Sequence, residues 1–181
     1  MQSYFSYNPG VRDIDQILPN LYMSNVYAAE NQQILQELKI THIVTVSAGI
    51  KPKYPSFYNY KVILVDDNPK FDVKQYFWDA IQFVEDAVQN NGVVLIHCAA
   101  GMSRSAAITI AYLMWKNKWT FKEAYDFGRS KRNKMFPNLG FQSQLRMFES
   151  EIFCDIPDSS EKEEQLKYDK VLKKIEEQKT F

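Results

Sequence analysis

Residues 93–105 read Val93-Val94-Leu95-Ile96-His97-Cys98-Ala99-Ala100-Gly101-Met102-Ser103-Arg104-Ser105. Four apolar residues lead into a tight loop, and a helix-like stretch, Ala106 to Trp115, leads out of it. An apolar run without alternation suits a strand buried on both faces. A strand that ends in a loop and passes into a helix is the unit from which α/β sheets are built. Such a loop is also an anion cradle, because its N–H groups turn inward and the helix N-terminus adds its positive end. A cysteine opens this cradle and an arginine closes it.

Each residue type has a task in that arrangement. A thiolate is a nucleophile, and a helix N-terminus and a nearby cation both favour it at Cys98. Arg104 offers a planar fork that fits two phosphoryl oxygens at once, which lysine does not. Gly101 stands where an inward-curling loop needs positive φ. Ala99 and Ala100 leave the cradle uncrowded. Ser105 is placed to donate to the sulfur, and His97 to fix the loop by hydrogen bonding and to help hold the thiolate. Singly, each has a plainer reading: a buried cysteine is usually a small core hydrophobe, and an arginine is usually solvated. Together they set five residue types within nine positions, between a strand and a helix.

A thiolate displacing an alkoxide or phenoxide from phosphorus leaves an oxygen that needs a proton, so a carboxylic acid should overhang the cradle. Asp66 and Asp67 follow the strand-like Lys61-Val62-Ile63-Leu64-Val65, and strand ends carry sites in α/β folds. Spacing alone leaves both open, and both could be loop-capping residues before Asn68-Pro69.

The remaining pattern supplies the frame. Asp13–Leu18 and Leu21–Ser24 read as strands turned at Pro19-Asn20. Val26–Leu38 reads as one helix, Thr41–Ser47 as a β-branched strand, 48–59 as loop and Tyr60–Val65 as a strand. Asp72–Val88 reads as a helix capped by Asp72 and stopped at Asn91-Gly92. Thr120 and Glu123 have capping-box spacing ahead of a helix to Arg129. Asn138–Phe153 reads as the last core helix, and its Asn138 as an N-cap. The sum is an α/β fold, a central, mostly parallel, five-stranded sheet with helices on both faces. Phe77, Trp78, Phe83, Tyr112, Trp115, Trp119 and Phe121 read as core aromatics.

Composition narrows the function. The chain has 181 residues, 45% of them apolar, enough for one core. Lysine plus arginine and aspartate plus glutamate are 22 each, so the formal charge is zero and a nucleic-acid partner is not indicated. The two cysteines, Cys98 and Cys154, show no zinc-type spacing, and no metal or cofactor is expected. A thiol nucleophile implies a reducing compartment, cytoplasmic or also nuclear. No leader, membrane span, myristoylation or prenylation signal is read, so no membrane partner is expected. Lys131, Arg132 and Lys134 form a basic cluster, either a solvated face or a contact for acidic groups or a second substrate phosphate. Residues 156–181 are dense in Lys and Glu and read as a charged helix or partly disordered tail, leaving 1–155 as the catalytic domain. A monomer is expected.

His-Cys, five residues, then Arg-Ser resembles the loop of the protein tyrosine phosphatase superfamily, most closely the small, atypical dual-specificity phosphatases. Ile40–Val44, Asp67-Asn68-Pro69, Ala111–Met114 and Pro137–Phe141 with Gln144-Leu145 carry the same resemblance, over about residues 13–150. It implies the cysteine-phosphatase fold and hydrolysis of phosphotyrosine and phosphoserine or phosphothreonine in proteins through a phosphocysteine. Cys98, Arg104, Ser105 and Asp67, favoured over Asp66, would be catalytic, and Ala99, Ala100, Gly101, Met102 and Ser103 would bind phosphate with Arg104. Asn138 would brace the loop beside His97. A phosphatase of phosphoinositides or RNA 5′ ends would place basic residues within the loop, where this chain has none. A silent phospho-binding relative would have lost its cysteine, and Cys98 is present.

Overall fold

The computed structural model describes residues 13–154; the charged segment 156–181 lies outside them. In chain order the elements are β1 (Ile14–Leu18), β2 (Leu21–Ser24), α1 (Val26–Ala29), α2 (Gln32–Glu37), β3 (His42–Val46), β4 (Asn59–Ile63), a 3₁₀ turn (Lys74–Tyr76), α3 (Phe77–Gln89), β5 (Val94–His97), α4 (Arg104–Asn117), α5 (Phe121–Lys131) and α6 (Leu139–Cys154).

The sheet has the order β1-β2-β5-β3-β4. β1 pairs antiparallel with β2, while β2–β5, β5–β3 and β3–β4 are parallel. This is the mostly parallel five-stranded α/β sheet read from the sequence. β5 is central and every one of its residues is buried, as its unbroken apolar run requires. Ile17, Met23, Val44, Val46, Val94 and Ile96 face the larger core, packed by α3, α4, α5 and α6. Ile43 and Leu95, one residue out of phase, face the smaller core with Ala29 and Leu35 of α1 and α2. Helices therefore cover both faces.

α4 is buried from Ser105 to Met114, so it lies enclosed between the sheet and its neighbouring helices. It ends where Lys118 turns left-handed, φ 53°. The capping box of α5 is formed on both sides by Thr120 and Glu123. The helix expected over Val26–Leu38 is instead two: Asn31 adopts an extended backbone and its side chain accepts from Ile34 N, restarting the helix. Asp72 accepts weakly from Gln75 N and opens a 3₁₀ turn, not the α-helix itself. Trp78 is 45% exposed and is not a core residue; it packs edge-on to Phe148 at the rim. Phe77, Tyr112 and Phe121 are buried as expected, and Phe83, Trp115 and Trp119 are partly so. Among the described residues no helix is long and apolar enough to cross a membrane.

Candidate active site

The four parallel strands end on the same side of the sheet, where doubly covered sheets carry their sites. Ser24 ends β2, Ser47 follows β3, Val65 to Asp67 follow β4, and Cys98 follows β5. The loop Cys98–Ser103 then runs into the N-terminus of α4.

The direction of the loop amides follows from their carbonyls. Ala99 O accepts from Val26 N at 3.2 Å, Gly101 O from Arg132 Nε at 2.9 Å, and Met102 O from Phe136 N at 2.9 Å. In a planar trans peptide the next N–H points the opposite way. The amides of Ala100, Met102 and Ser103 are thereby turned away from those outer partners, into the curl of the loop. Gly101 has φ +65°, and a Cβ there would stand 2.5 Å from Ser24 O and 2.6 Å from Arg132 Nη2. Both backbone sign and close approach demand glycine at this point.

Cys98 is buried at the floor, 1% exposed, and its Sγ accepts from Ser105 Oγ at 3.1 Å. Arg104 Nη1 donates to Ser47 Oγ at 2.9 Å and reaches Val65 O at 3.4 Å. Its Nε is buried and has no hydrogen-bond partner among the described residues. Asp67 Oδ2, at 3.9 Å, is an ion-pair neighbour and not a hydrogen-bond acceptor for it. A buried guanidinium N–H without an acceptor is a costly vacancy that an anion would fill.

The structure separates the two aspartates. Asp67 Oδ1 accepts from Ser103 Oγ at 2.6 Å and from Asn138 Nδ2 at 2.9 Å, so it leans over the loop. Asp66 is exposed and makes none of these contacts. Asn138 does three things at once. Its Oδ1 caps α6 through Phe141 N, its backbone N–H donates to Ser103 Oγ at 3.1 Å, and its amide holds Asp67. That backbone bond ties Asn138 to the loop, while its side chain amide serves the carboxylate.

His97 is buried, with Nε2 and Thr45 Oγ1 2.9 Å apart. Burial lowers its pKa to about 4, against a smaller opposing pull from the Cys98 backbone, so it is neutral near pH 7. It anchors the end of β5 to β3 and does not reach the sulfur through any hydrogen bond in the structure.

Two supports were not legible as such. Arg132, read as part of a solvated or substrate-facing basic cluster, is fully buried beneath the loop. Besides Gly101 O it binds Asp13 Oδ1 at 2.7 Å and Asp15 Oδ2 at 2.5 Å, while Lys134 pairs with Asp13 and Lys131 lies over the Phe127 ring. Its burial could have been suspected only from the acidic pair Asp13 and Asp15, more than a hundred residues away. Gln144 of α6 accepts from Val73 N and Lys74 N at 2.8 and 2.9 Å and donates to Phe71 O, clamping the segment that follows Asp67. Among the described residues no group of three or more His, Cys, Asp or Glu could hold a metal ion.

Comparison with known proteins matches residues 21–151 to the dual specificity phosphatase catalytic domain. The chain belongs to the dual-specificity phosphatase family. This phosphatase is 41% identical over 143 residues to dual specificity protein phosphatase 1B of Arabidopsis thaliana, covering 79% of this chain and 86% of that protein. It is 40% identical over 139 residues to dual specificity protein phosphatase 1 of Homo sapiens, covering 77% of this chain but 38% of that longer protein. Among solved structures, human DUSP28 superimposes with a TM-score of 0.75 at 28% identity, over 81% of this phosphatase and 99% of that chain. The human tyrosine phosphatase-like serine/threonine/tyrosine-interacting protein superimposes at 0.72 with 32% identity, over 77% of this phosphatase and 97% of that chain.

Proposed function

We propose that this phosphatase hydrolyses phosphotyrosine and phosphoserine or phosphothreonine in proteins, with Cys98, Arg104, Asp67 and Ser105 as its working groups. The observation that carries the reading is the cradle: inward amides at Ala100, Met102 and Ser103, an unpartnered Arg104 Nε, and a sulfur at the floor.

The substrate phosphate seats its equatorial oxygens on those amides and on Arg104. The Cys98 thiolate attacks phosphorus, forming the P–S bond as the P–O bond to the protein substrate breaks. Asp67, held over the loop by Ser103 and Asn138, gives its proton to the departing oxygen. Asp67 then takes a proton from water, whose oxygen attacks phosphorus. The P–S bond breaks, phosphate leaves and the thiolate returns, with Ser105 Oγ donating to the sulfur as it regains its charge. The positive end of α4 and the fixed amides favour negative charge at this point throughout, without reorganisation.

Residues 1–155 form the catalytic domain in this reading, and the protein works on phosphoproteins without a nucleic-acid or membrane partner, as a monomer, in the cytoplasm or also the nucleus. The test is hydrolysis of a small aryl phosphate and of phosphopeptides by the purified protein, against Cys98→Ser. Turnover by the wild type, its loss in Cys98→Ser and trapping of a phosphocysteine on rapid quench are expected. Wild-type turnover by Cys98→Ser overturns the mechanism. Tight phosphopeptide binding by the wild type with no phosphate release would instead make it a binding protein on this fold.

A further inference from the structure

Three large apolar side chains stand exposed on the segments that are hydrogen-bonded to the phosphate loop. Met102, within the loop, is 37% exposed, Phe136 is 48% and Leu139 is 74%. They belong to one patch of backbone. Phe136 N donates to Met102 O, and Asn138, between Phe136 and Leu139, is tied to Ser103 and Asp67.

Their exposure is enforced from beneath. Met135, next to Phe136, is wholly buried against Gly128. Phe141, two residues past Leu139, is wholly buried, and Gly140 is pressed against the Pro69 backbone. Phe136 and Leu139 therefore cannot fold inward without unseating these neighbours. Scattered apolar residues on a surface are ordinary. Three of them on pinned backbone beside a catalytic mouth are a surface held ready for apolar contact.

Charge points the same way. The basic cluster of this stretch already has partners: Arg132 is buried, Lys134 is paired with Asp13, and Lys131 lies over Phe127. The loop positions Ala99, Ala100, Met102 and Ser103 add no charge.

We infer that Met102, Phe136 and Leu139 form an apolar rim to the catalytic mouth that selects phosphoproteins bearing a bulky apolar residue next to the phosphorylated one. This deepens the proposed hydrolysis and rests on it. The occupant is that flanking side chain, and the rim is continuous with the cradle that takes the phosphate.

The experiment compares kcat/KM for phosphotyrosine peptides identical except for leucine, serine or aspartate at the two flanking positions, with an aryl phosphate and a phosphoinositide alongside. The leucine peptide should exceed the serine peptide by about tenfold, the worth of one added apolar contact in a binding site, and the aspartate peptide should do no better than serine. Phe136→Ser and Leu139→Ser, both exposed changes checked by thermal melting, should each pull the leucine-to-serine ratio toward one. Equal rates for all peptides, a preference for aspartate, or a ratio that neither folded variant moves would overturn the rim. No turnover even of the aryl phosphate would overturn the hydrolysis itself, and faster turnover of the phosphoinositide would assign the mouth to lipid.

Discussion

Arg132→Met tests how the cradle is held. Methionine keeps an unbranched apolar stem but is shorter than arginine and removes its charge and donors. In the folded protein the Arg132 side chain is wholly buried and serves three acceptors, Gly101 O, Asp13 and Asp15. Removing one partner of a buried ion pair costs roughly 3–5 kcal/mol. The lower end applies, because Lys134 still faces Asp13 and the Asp15 side chain is 43% exposed. A loss of about 3 kcal/mol in a domain of this size lowers Tm by roughly 6–12 °C. Calorimetry reads that shift directly. A second consequence is specific to the loop. With Gly101 O untied, the Gly101–Met102 peptide can rotate and the Met102 N–H no longer has to point into the cradle. Vanadate affinity should weaken by about tenfold, the worth of one hydrogen bond to a charged group at ~1.5 kcal/mol, while a merely destabilising change would leave it intact below the melting range. Asp15→Asn in the Arg132→Met background should recover part of the lost stability, since an unpaired carboxylate is then gone. A variant melting within 1 °C of wild type with unchanged vanadate affinity would refute this account of Arg132.

Replacement of Asp67 by asparagine should reduce kcat by roughly 10²–10⁴-fold, the usual worth of a general acid, while Asp66→Asn leaves it near wild type; the reverse pattern in steady-state kinetics would move the acid to Asp66. Gly140→Ala places a Cβ 1.8 Å from Pro69 O, so the acid loop must part from α6 by about 1 Å, a displacement that can cost ~10²-fold in rate. Here kcat should fall while vanadate affinity holds, and equal losses in both would show that the cradle, not the acid, had moved. His97 has a folded pKa of about 4 against an ordinary 6.5, so the unfolded chain takes up a proton that the folded one refuses. Stability from this group is complete above pH 6.5 and is lost as pH falls to 4, about 3 kcal/mol in all. Denaturant melts across that window should show the loss in wild type and in His42→Gln, and a much flatter profile in His97→Gln; an unchanged profile in His97→Gln would assign the acid sensitivity elsewhere.

What could be read along the chain was what neighbours in sequence decide. The buried run before His97, the loop Cys98–Arg104, the helix after it and the Thr120–Glu123 box all depend on residues within a few positions of one another. Strand and helix periodicity and capping express such short-range constraints, and they suffice for the five strands, the covered sheet and the place of the loop Cys98–Arg104 between β5 and α4. The misreadings lie where a local signal was overruled or incomplete. Asn31 broke one helix into two by capping from within. Trp78 had helical spacing but fell at the rim of the core. Lys131, Arg132 and Lys134 had the composition of a solvated run, yet Arg132 went inside.

Only the tertiary structure distinguishes the surroundings of Asp66 and Asp67, because Asp67 is held over the loop by Ser103 and Asn138, 36 and 71 residues further on. Only it turned the loop amides inward, since the carbonyls that set them are tied to Val26, Arg132 and Phe136, three parts of the chain that meet nowhere but in the fold. A side chain's identity says what it can bond to. Which acceptor lies within 3 Å of it is decided by how sheet and helices pack, and that packing brings together residues whose separation in sequence carries no record of their contact.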